Sequence, residues 1–239
     1  MPAWWTEVRT FLQQYRANFK HTGAVLPSGG SLGRALTRYV RRRDGDAPPQ
    51  SGTAPQAGAA TNSPAAVALR ILEVGPGTGA VTKHIAAALR PGDQFDMTEL
   101  NEAFCMHLRE RFAAEPPFCH VSTQSRVLHC PIEQLSADEP YDLIISGLPL
   151  NNFNVDEVEH ILGIFERLLK PGGTLSFFEY IGIRKVRALV SDAQGRKRLR
   201  GIEAAMNGIL RRGEIHRDHV WPNVPPAYVH HVRFATASA

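Results

Sequence analysis

A short apolar stretch that runs into a glycine-rich turn constrains the fold of this 239-residue chain more than any other feature. Residues 71–74 have the pattern of a buried strand, and glycines follow at alternate positions before a helical pattern begins. Glycine lets the backbone turn tightly and approach a ligand closely, and a helix N-terminus adds free N–H groups. We therefore predict a site for a nucleotide-like cofactor at this turn. Its predicted residues are Gly75, Pro76, Gly77, Thr78 and Gly79.

Glu73, two residues before the first of these glycines, distinguishes between two classes of cofactor. With Ala80 the glycines also satisfy the G-x-G-x-x-A pattern of dinucleotide sites, and a purely structural turn is a further alternative. An acid at position 73 can meet the ammonium group of S-adenosylmethionine, directly or through water, but it would repel a pyrophosphate. The sequence thus favours S-adenosylmethionine over a dinucleotide.

Two further segments are predicted to contact the ribose and the adenine of this cofactor. Glu99, which is followed by Leu100, lies 24 residues after Gly75. This is close to the spacing at which an acid accepts hydrogen bonds from ribose hydroxyls, and an acid that caps the next helix is the alternative. After the third predicted strand, Ile132 can offer a backbone N–H and an apolar wall to adenine. Glu133 can reach the adenine amine, and an exposed acid at a helix start is the alternative.

The fourth predicted strand ends in a loop, residues 146–153, at the edge where open α/β sheets place ligands. Carbonyls and apolar side chains of this loop would face the transferable methyl group. Enzymes that methylate the exocyclic nitrogens of bases carry Asn, Asp or Ser, then any residue and Pro, then an aromatic residue that stacks on the base. Gly147 and Leu150 occupy those two positions, which disfavours a nucleobase, although Phe153 remains available to stack. The predicted cofactor contacts of the loop are Ser146, Gly147 and Leu148.

Strand and helix patterns alternate from residue 65 onward, which indicates an α/β fold with a mainly parallel sheet. The last two strand patterns are joined by Pro-Asn-Val-Pro-Pro and predict a closing hairpin. Strands are predicted at 69–74, 94–100, 125–130, 142–146, 174–180, 214–221 and 228–234. Helices are predicted at 81–89, 102–112 and 156–169.

The residues before this domain predict two further segments. Apolar residues at three- and four-residue steps form one face of a helix near the N-terminus, with basic residues off that face. A second periodic stretch, 31–40, ends in three arginines, and Arg34 and Arg38 precede them by one and two turns. Residues 44–64 have the composition of a flexible linker. The predicted division is therefore 1–43, a helical membrane-binding or lid segment, then 44–64, the linker, and 65–239, the α/β domain.

Composition narrows the class of protein. A net charge of +4 and a pI of about 9.1 suit an anionic partner. The three cysteines are odd in number and lack C-x-x-C spacing, so we predict neither a disulfide framework nor a metal site. No apolar run approaches the roughly 20 residues that span a bilayer, and no signal-type start is present, which predicts a cytoplasmic protein.

These features together resemble the bacterial phosphatidylethanolamine N-methyltransferases of the soluble, peripheral type and the related ornithine-lipid N-methyltransferases. The likeness rests on residues 19–28, 146–153 and 223–229, and on a helix, Pro-Gly-Gly, strand order at 168–175. It implies a Rossmann-like class I methyltransferase fold with a seven-stranded, mainly parallel sheet, an antiparallel last strand, helices on both faces and an N-terminal amphipathic helix. Ribosomal RNA adenine dimethyltransferases are similar in the first half, but they add a helical RNA-binding domain.

The resemblance also implies a function and a location. The methyl donor is S-adenosylmethionine, the acceptor is a lipid head-group amine, and the enzyme associates peripherally with the inner face of an anionic membrane. Tryptophans suit the headgroup boundary and basic residues can meet lipid phosphates, while packing of this aromatic face on the domain's own core is the alternative. The predicted membrane-binding residues are Trp4, Trp5, Arg9, Phe11, Arg16 and Lys20.

In-line methyl transfer requires a neutral amine held against the methyl group in a site that excludes water. Tyr180 and Glu179 at the end of the fifth predicted strand, and Asn151 beyond the fourth, are candidates by location for orienting or deprotonating this amine. Basic residues at 196–200 and 211–212 predict a second phosphate contact, with a solvated face as the alternative. A nucleic-acid adenine N6-methyltransferase and a non-enzymatic lipid- or RNA-binding protein that retains the fold stay open as alternatives.

Overall fold

The computed structural model describes residues 29–41, 67–150, 153–181, 193–223 and 225–234. The predicted N-terminal amphipathic helix and the predicted linker at 44–64 lie outside the described residues, so the division of the chain at 43 and 64 stays a prediction. Several predicted site residues also lie outside them. These are Trp4, Trp5, Arg9, Phe11, Arg16, Lys20 and Asn151.

Seven strands of the described residues form a single sheet in the order β3-β2-β1-β4-β5-β7-β6. Neighbours from β3 to β5 are parallel, and β7 is antiparallel to both β5 and β6, as predicted. The fifth strand begins five residues earlier than predicted because Leu169 already pairs with Tyr141 across a register shift. The strands are β1 (Arg70–Val74), β2 (Gln94–Thr98), β3 (Ser125–Leu128), β4 (Tyr141–Ser146), β5 (Leu169–Tyr180), β6 (Glu214–Val220) and β7 (Ala227–Arg233).

Six α-helices of the described residues surround this sheet. The three helices predicted within the domain are present as α3, α4 and α5, and α5 begins with a capping box in which Asn154 and Glu157 bond each other's backbone. Short 3₁₀ helices cover Phe118–Gln124 and Ile132–Gln134. The helices are α1 (Gly30–Leu36), α2 (Arg38–Arg41), α3 (Thr82–Ala86), α4 (Glu102–Ala114), α5 (Val155–Leu168) and α6 (Ala193–Gly213).

Helix α6 was not predicted, although the sequence carries a signal for it. Leu199, Ile202, Met206 and Ile209 recur at three- and four-residue steps, and all four are buried. Four glycines and a run of arginines lower the helix-forming tendency of this stretch and conceal the pattern. Burial of the apolar face against the sheet outweighs that weak local preference.

Apolar side chains from alternate strand positions form a separate core on each face of the sheet. On one face, Leu72 and Phe177 pack with α5 and α6, and on the other, Ile71 and Phe95 pack with α1 and α3. Each such buried side chain contributes roughly 1.5–3 kcal/mol to folding. The predicted arrangement of helices on both faces of a Rossmann-like sheet is confirmed.

Helices α1 and α2 belong to the core that contains Ile71 and Phe95. Leu32, Leu36 and Val40 are fully buried against the sheet face that α3 also covers. The Gly29 amide donates to Asn223 Oδ1 at 3.1 Å, which joins the start of α1 to the β6–β7 turn. None of the helices that the structure describes is long and apolar enough to cross a bilayer.

Candidate functional site

The turn between β1 and α3 has a backbone that favours glycine. The φ angles are 70° at Gly75, 59° at Gly77 and 85° at Gly79. A Cβ atom on Gly79 would lie 2.8 Å from an Arg111 side-chain nitrogen, whereas a Cβ atom on Gly77 would meet nothing within 4 Å. Gly79 is therefore favoured first by its positive φ angle and further by its close neighbours. Gly77 is required by its backbone conformation, and it borders open space that a ligand can occupy.

Glu99 ties this turn to the end of β2. It is 2% exposed, and its Oε2 accepts a hydrogen bond from the Gly77 amide at 3.0 Å while Oε1 accepts one from the Asn101 amide at 2.9 Å. Asn101, not Glu99, caps α4, since its side chain accepts from the Phe104 amide. The helix-capping alternative for Glu99 is therefore wrong. Each carboxylate oxygen can accept more than one hydrogen bond, so the group suits ribose hydroxyls as well.

Glu73 is a second acid buried beside the turn. It is 1% exposed, and its Oε2 has no hydrogen-bond partner among the described residues. Burial raises the pKa of Glu73 to about 8; the Thr82 hydroxyl beside it acts to lower this pKa, and the negative charge of Glu99 acts to raise it. A cationic ligand group at this position would favour the ionised form. The site therefore fits the ammonium of S-adenosylmethionine, in agreement with the sequence-based interpretation.

The loop that follows β4 lies directly against the glycine turn. The Gly147 amide donates to the Val74 carbonyl at 2.8 Å, and a Cβ atom on Gly147 would lie 2.7 Å from the Gly75 carbonyl oxygen. Ser146 is buried, and its Oγ accepts a hydrogen bond from the Leu148 amide at 3.3 Å. Glycine is thus needed at position 147 for a steric reason that the sequence did not reveal. The predicted contacts from β1 and β4 are brought together as expected.

The predicted adenine-binding segment follows β3. Ile132 is 6% exposed and packs in the core beside β1, and Leu100 packs against the same core. Glu133 is partly buried, its Oε1 lies 3.7 Å from His160 Nε2, and burial raises its pKa. Its Oε2 is buried without a hydrogen-bond partner among the described residues. The alternative of an exposed acid at a helix start is wrong, and a donor such as an adenine amine fits this oxygen.

The two described candidates at the end of β5 lie on opposite faces of the sheet. Glu179 Oε2 is 3.8 Å from His230 Nε2, and His230 Nδ1 is 2.6 Å from Glu214 Oε1. Tyr180 instead stacks edge-on against Phe178, with 5.1 Å between ring centroids. The two side chains therefore do not act at one point. His230, which the sequence analysis missed, lies in a predicted strand beside a second histidine and carries no motif that marks it.

A cleft of about 900 Å³ opens between the start of α5 and the first half of α6. Its α5 wall belongs to the helix that follows the β4 loop in the chain. Among the described residues that line it, Lys197, Arg198 and Arg200 are basic and Asp156 is acidic. This is the basic segment predicted at 196–200. Within the described part of the chain, no group of three or more His, Cys, Asp or Glu side chains is arranged to hold a metal ion.

Comparison with known families and curated proteins identifies the type of domain. Residues 72–175 match the family described as a methyltransferase domain. The ornithine lipid N-methyltransferase of Singulisphaera acidiphila is 31% identical over 106 residues, which are 44% of this chain and 55% of that protein. A polyketide synthase-nonribosomal peptide synthetase of Aspergillus flavipes is 33% identical over 122 residues, 48% of this chain but 3% of that protein. The chain therefore spans about half the length of the first relative and a small part of the second.

Solved structures share the fold at low identity. An O-methyltransferase from Bacillus cereus, in complex with S-adenosylhomocysteine, aligns over 95% of this chain and 90% of its own, with a TM-score of 0.57 and 15% identity. The O-methyltransferase TomG of Streptomyces achromogenes, in complex with S-adenosylmethionine, aligns over 86% and 79%, with a TM-score of 0.54 and 13% identity. The predicted class I methyltransferase fold is confirmed. The assignment of Glu73, Glu99 and the glycine turn to S-adenosylmethionine stays a prediction, which this fold supports.

Proposed function

We propose that this chain, whose residues 72–175 match a methyltransferase domain, transfers a methyl group from S-adenosylmethionine to the amine of a membrane-lipid head group. The single observation that supports this class of acceptor is the basic cleft between α5 and α6. Lys197, Arg198 and Arg200 line one side of it, and its other side is the start of α5, the helix that follows the β4 loop in the chain. Lysine and arginine pair readily with phosphate, which a phospholipid head group carries close to its amine.

The donor side of the reaction follows from the described residues. Glu73 would meet the ammonium group of the donor, Glu99 its ribose and Ile132 with Glu133 its adenine, while Gly77 leaves the space the ligand needs. S-adenosylmethionine supplies an electrophilic methyl group on a sulfonium. The apolar side chain of Leu148, 8% exposed at the meeting of the two loops, limits access of water there.

The acceptor amine must lose a proton, and Glu179 is the described residue that we propose as the base for that step. As the amine nitrogen forms its bond to the methyl carbon, the carbon–sulfur bond breaks and the sulfur keeps the electron pair. The nitrogen proton passes to a base. Burial alone would raise the pKa of Glu214, but hydrogen bonds from Arg217 and His230 hold it below its usual value. Ionised Glu214 therefore orients His230, which in turn lies beside Glu179.

The relative from Singulisphaera acidiphila supports this acceptor class, because its name describes a lipid amine as its substrate. A nucleobase acceptor has less support. Leu150 is 1% exposed and Phe153 is 2% exposed, and both belong to the core between the sheet and α5. A flipped base needs an exposed aromatic face to stack on. The aromatic residue that the sequence left available for stacking is therefore occupied by the core.

Methyl transfer from labelled S-adenosylmethionine tests the proposal. The full chain is incubated with vesicles of phosphatidylethanolamine or an ornithine lipid, and with amine-free phosphatidylglycerol vesicles or structured RNA as controls. We expect label in an amine lipid alone. Glu179→Gln should lower kcat about a hundredfold without changing S-adenosylhomocysteine affinity, while Glu166→Gln, on the exposed face of α5, should change neither. Label in RNA but in no lipid would contradict the proposal and support the nucleic-acid alternative.

A further inference from the structure

A second basic cleft, separate from the one beside α6, lies between α1, α2 and the edge strand β6. Its volume is about 390 Å³. Arg34, Arg38 and Arg41 project into it from one side of α1 and α2, at spacings of four and three residues that place them on a common helical face. Strand β6 and the turn after it form the other wall. We propose that this arginine cleft binds the phosphate group of an anionic membrane lipid.

The charges of the arginine cleft are not balanced within the described residues. Asp218 is its one acidic lining residue, and Arg38 binds this carboxylate through two nitrogens, one of them Nε at 2.7 Å. His231 Nε2 also contacts it at 3.2 Å. Burial alone would raise the pKa of Asp218, but these two partners hold it well below its usual range. The carboxylate is ionised and already bound to Arg38 and His231.

Arg34 and Arg41 contact neutral acceptors instead. Arg34 donates to the Ser31 hydroxyl at 3.1 Å, and Arg41 donates to the backbone carbonyl of Arg34. Both side chains are exposed. Burial and the nearby charges of Arg34 and Arg38 lower the pKa of Arg41. Burial also lowers the pKa of His84, and the charges of Lys83, Arg34 and Arg41 add to this effect. The field in the cleft is therefore positive, and an anion with several oxygens would relieve it.

The surroundings of the arginine cleft favour a membrane lipid as the source of that phosphate. Trp221 is 62% exposed, and it lies in the chain between Val220 and Pro222, which both line the cleft. A tryptophan ring with an apolar body and an N–H group suits the boundary between head groups and acyl chains. Val220 aligns through β7 with Tyr180 at the end of β5. This wall therefore reaches the sheet edge that carries the cofactor turn.

The inference that the phosphate belongs to a lipid rests on the proposed function, whereas the inference of an anion site rests on the arginines alone. A binding measurement separates the two, because it needs neither methyl transfer nor an amine. Vesicles of phosphatidylglycerol in phosphatidylcholine offer anionic phosphate without a methyl acceptor. Inorganic phosphate, titrated by calorimetry, offers the same chemistry without a surface.

The experiment compares the full chain with an Arg34→Gln/Arg41→Gln variant and with an Arg109→Gln/Arg167→Gln variant, which removes the same charge from exposed positions elsewhere. At low salt we expect vesicle affinity to fall about thirtyfold in the first variant and much less in the second. Trp221→Ser should weaken vesicle binding but not phosphate binding, and Met106→Ser, which removes another exposed apolar side chain, should change neither. S-adenosylhomocysteine binding verifies that each variant is folded.

Two results would overturn this proposal. Equal vesicle affinity of the two double variants would show that the arginine cleft is only part of a general positive charge. A loss of phosphate binding with vesicle binding unchanged would show that its ligand is a soluble phosphate compound. If instead the cleft variants lose vesicle binding while lipid methylation is absent even in the unmodified chain, the anion site stands and the proposed function fails.

Discussion

Two buried carboxylates on neighbouring strands have opposite surroundings, although each is 1% exposed. Asp96 in β2 binds Arg126 at 2.7 Å and 2.8 Å, Tyr141 at 3.0 Å and Arg70 at 3.3 Å. Glu73 in β1 has an oxygen without a hydrogen-bond partner among the described residues, and its pKa is raised to about 8. A buried charge is costly unless it is paired. Asp96 therefore has a structural role, whereas the free oxygen of Glu73 is available to the predicted ligand.

Removing the paired carboxylate should have the largest effect on stability. Asp96→Asn removes a buried charge partner of both Arg126 and Arg70, and Arg70, whose side chain is 14% exposed, keeps its ion pair with the exposed Glu139. We expect the free energy of unfolding to fall by about 3–5 kcal/mol in urea denaturation. Asp138→Asn, at an exposed position, is the control and should change little. A loss as small as that of the control would show that the Asp96 network is not structural.

Removing the other carboxylate, that of Glu73, should instead raise the free energy of unfolding. The ordinary pKa of a glutamate is 4.5 and that of Glu73 in the fold is about 8, so between these values the unfolded chain is ionised while the folded protein holds the proton. Stability therefore falls as pH rises from 4.5 to 8. Glu73→Gln should remove this dependence and raise the free energy of unfolding of the ligand-free protein by up to about 4 kcal/mol at pH 8. Equal pH profiles for the two proteins would contradict this assignment.

Two glycines should show a smaller difference in stability, one in the loop beside the glycine turn and one on an exposed helix face. A Cβ atom at Gly147 would lie 2.7 Å from the Gly75 carbonyl oxygen, whereas one at Gly163, on the exposed face of α5, meets nothing within 4 Å. Gly147→Ala should lower the free energy of unfolding by about 1–2 kcal/mol and weaken S-adenosylhomocysteine binding. Gly163→Ala should raise the free energy of unfolding by up to about 1 kcal/mol, because alanine favours a helix interior. Thermal denaturation of both variants measures these signs.

The sequence predicted those parts of the molecule whose structure follows from residues that are neighbours along the chain. Alternating apolar residues and the glycines between β1 and α3 were enough to place the strands and the cofactor turn. Patterns that depend on distant partners were not visible. Nothing local indicates that Asp96 meets Arg126 of the next strand, that Gly147 lies against Gly75, or that His230 lies between Glu214 and Glu179. These contacts form only when the sheet brings separate strands together.

The affinity for S-adenosylhomocysteine as a function of pH tests the central claim most directly. Because the ligand's ammonium should bind the ionised form of Glu73, affinity measured by calorimetry should rise about tenfold per pH unit from pH 6 toward pH 8. In Glu73→Gln the affinity should be at least tenfold weaker at pH 8 and should not change with pH. NAD should bind far more weakly than S-adenosylhomocysteine. Unchanged affinity in the variant, or NAD binding as tight as that of S-adenosylhomocysteine, would contradict the assignment of this site.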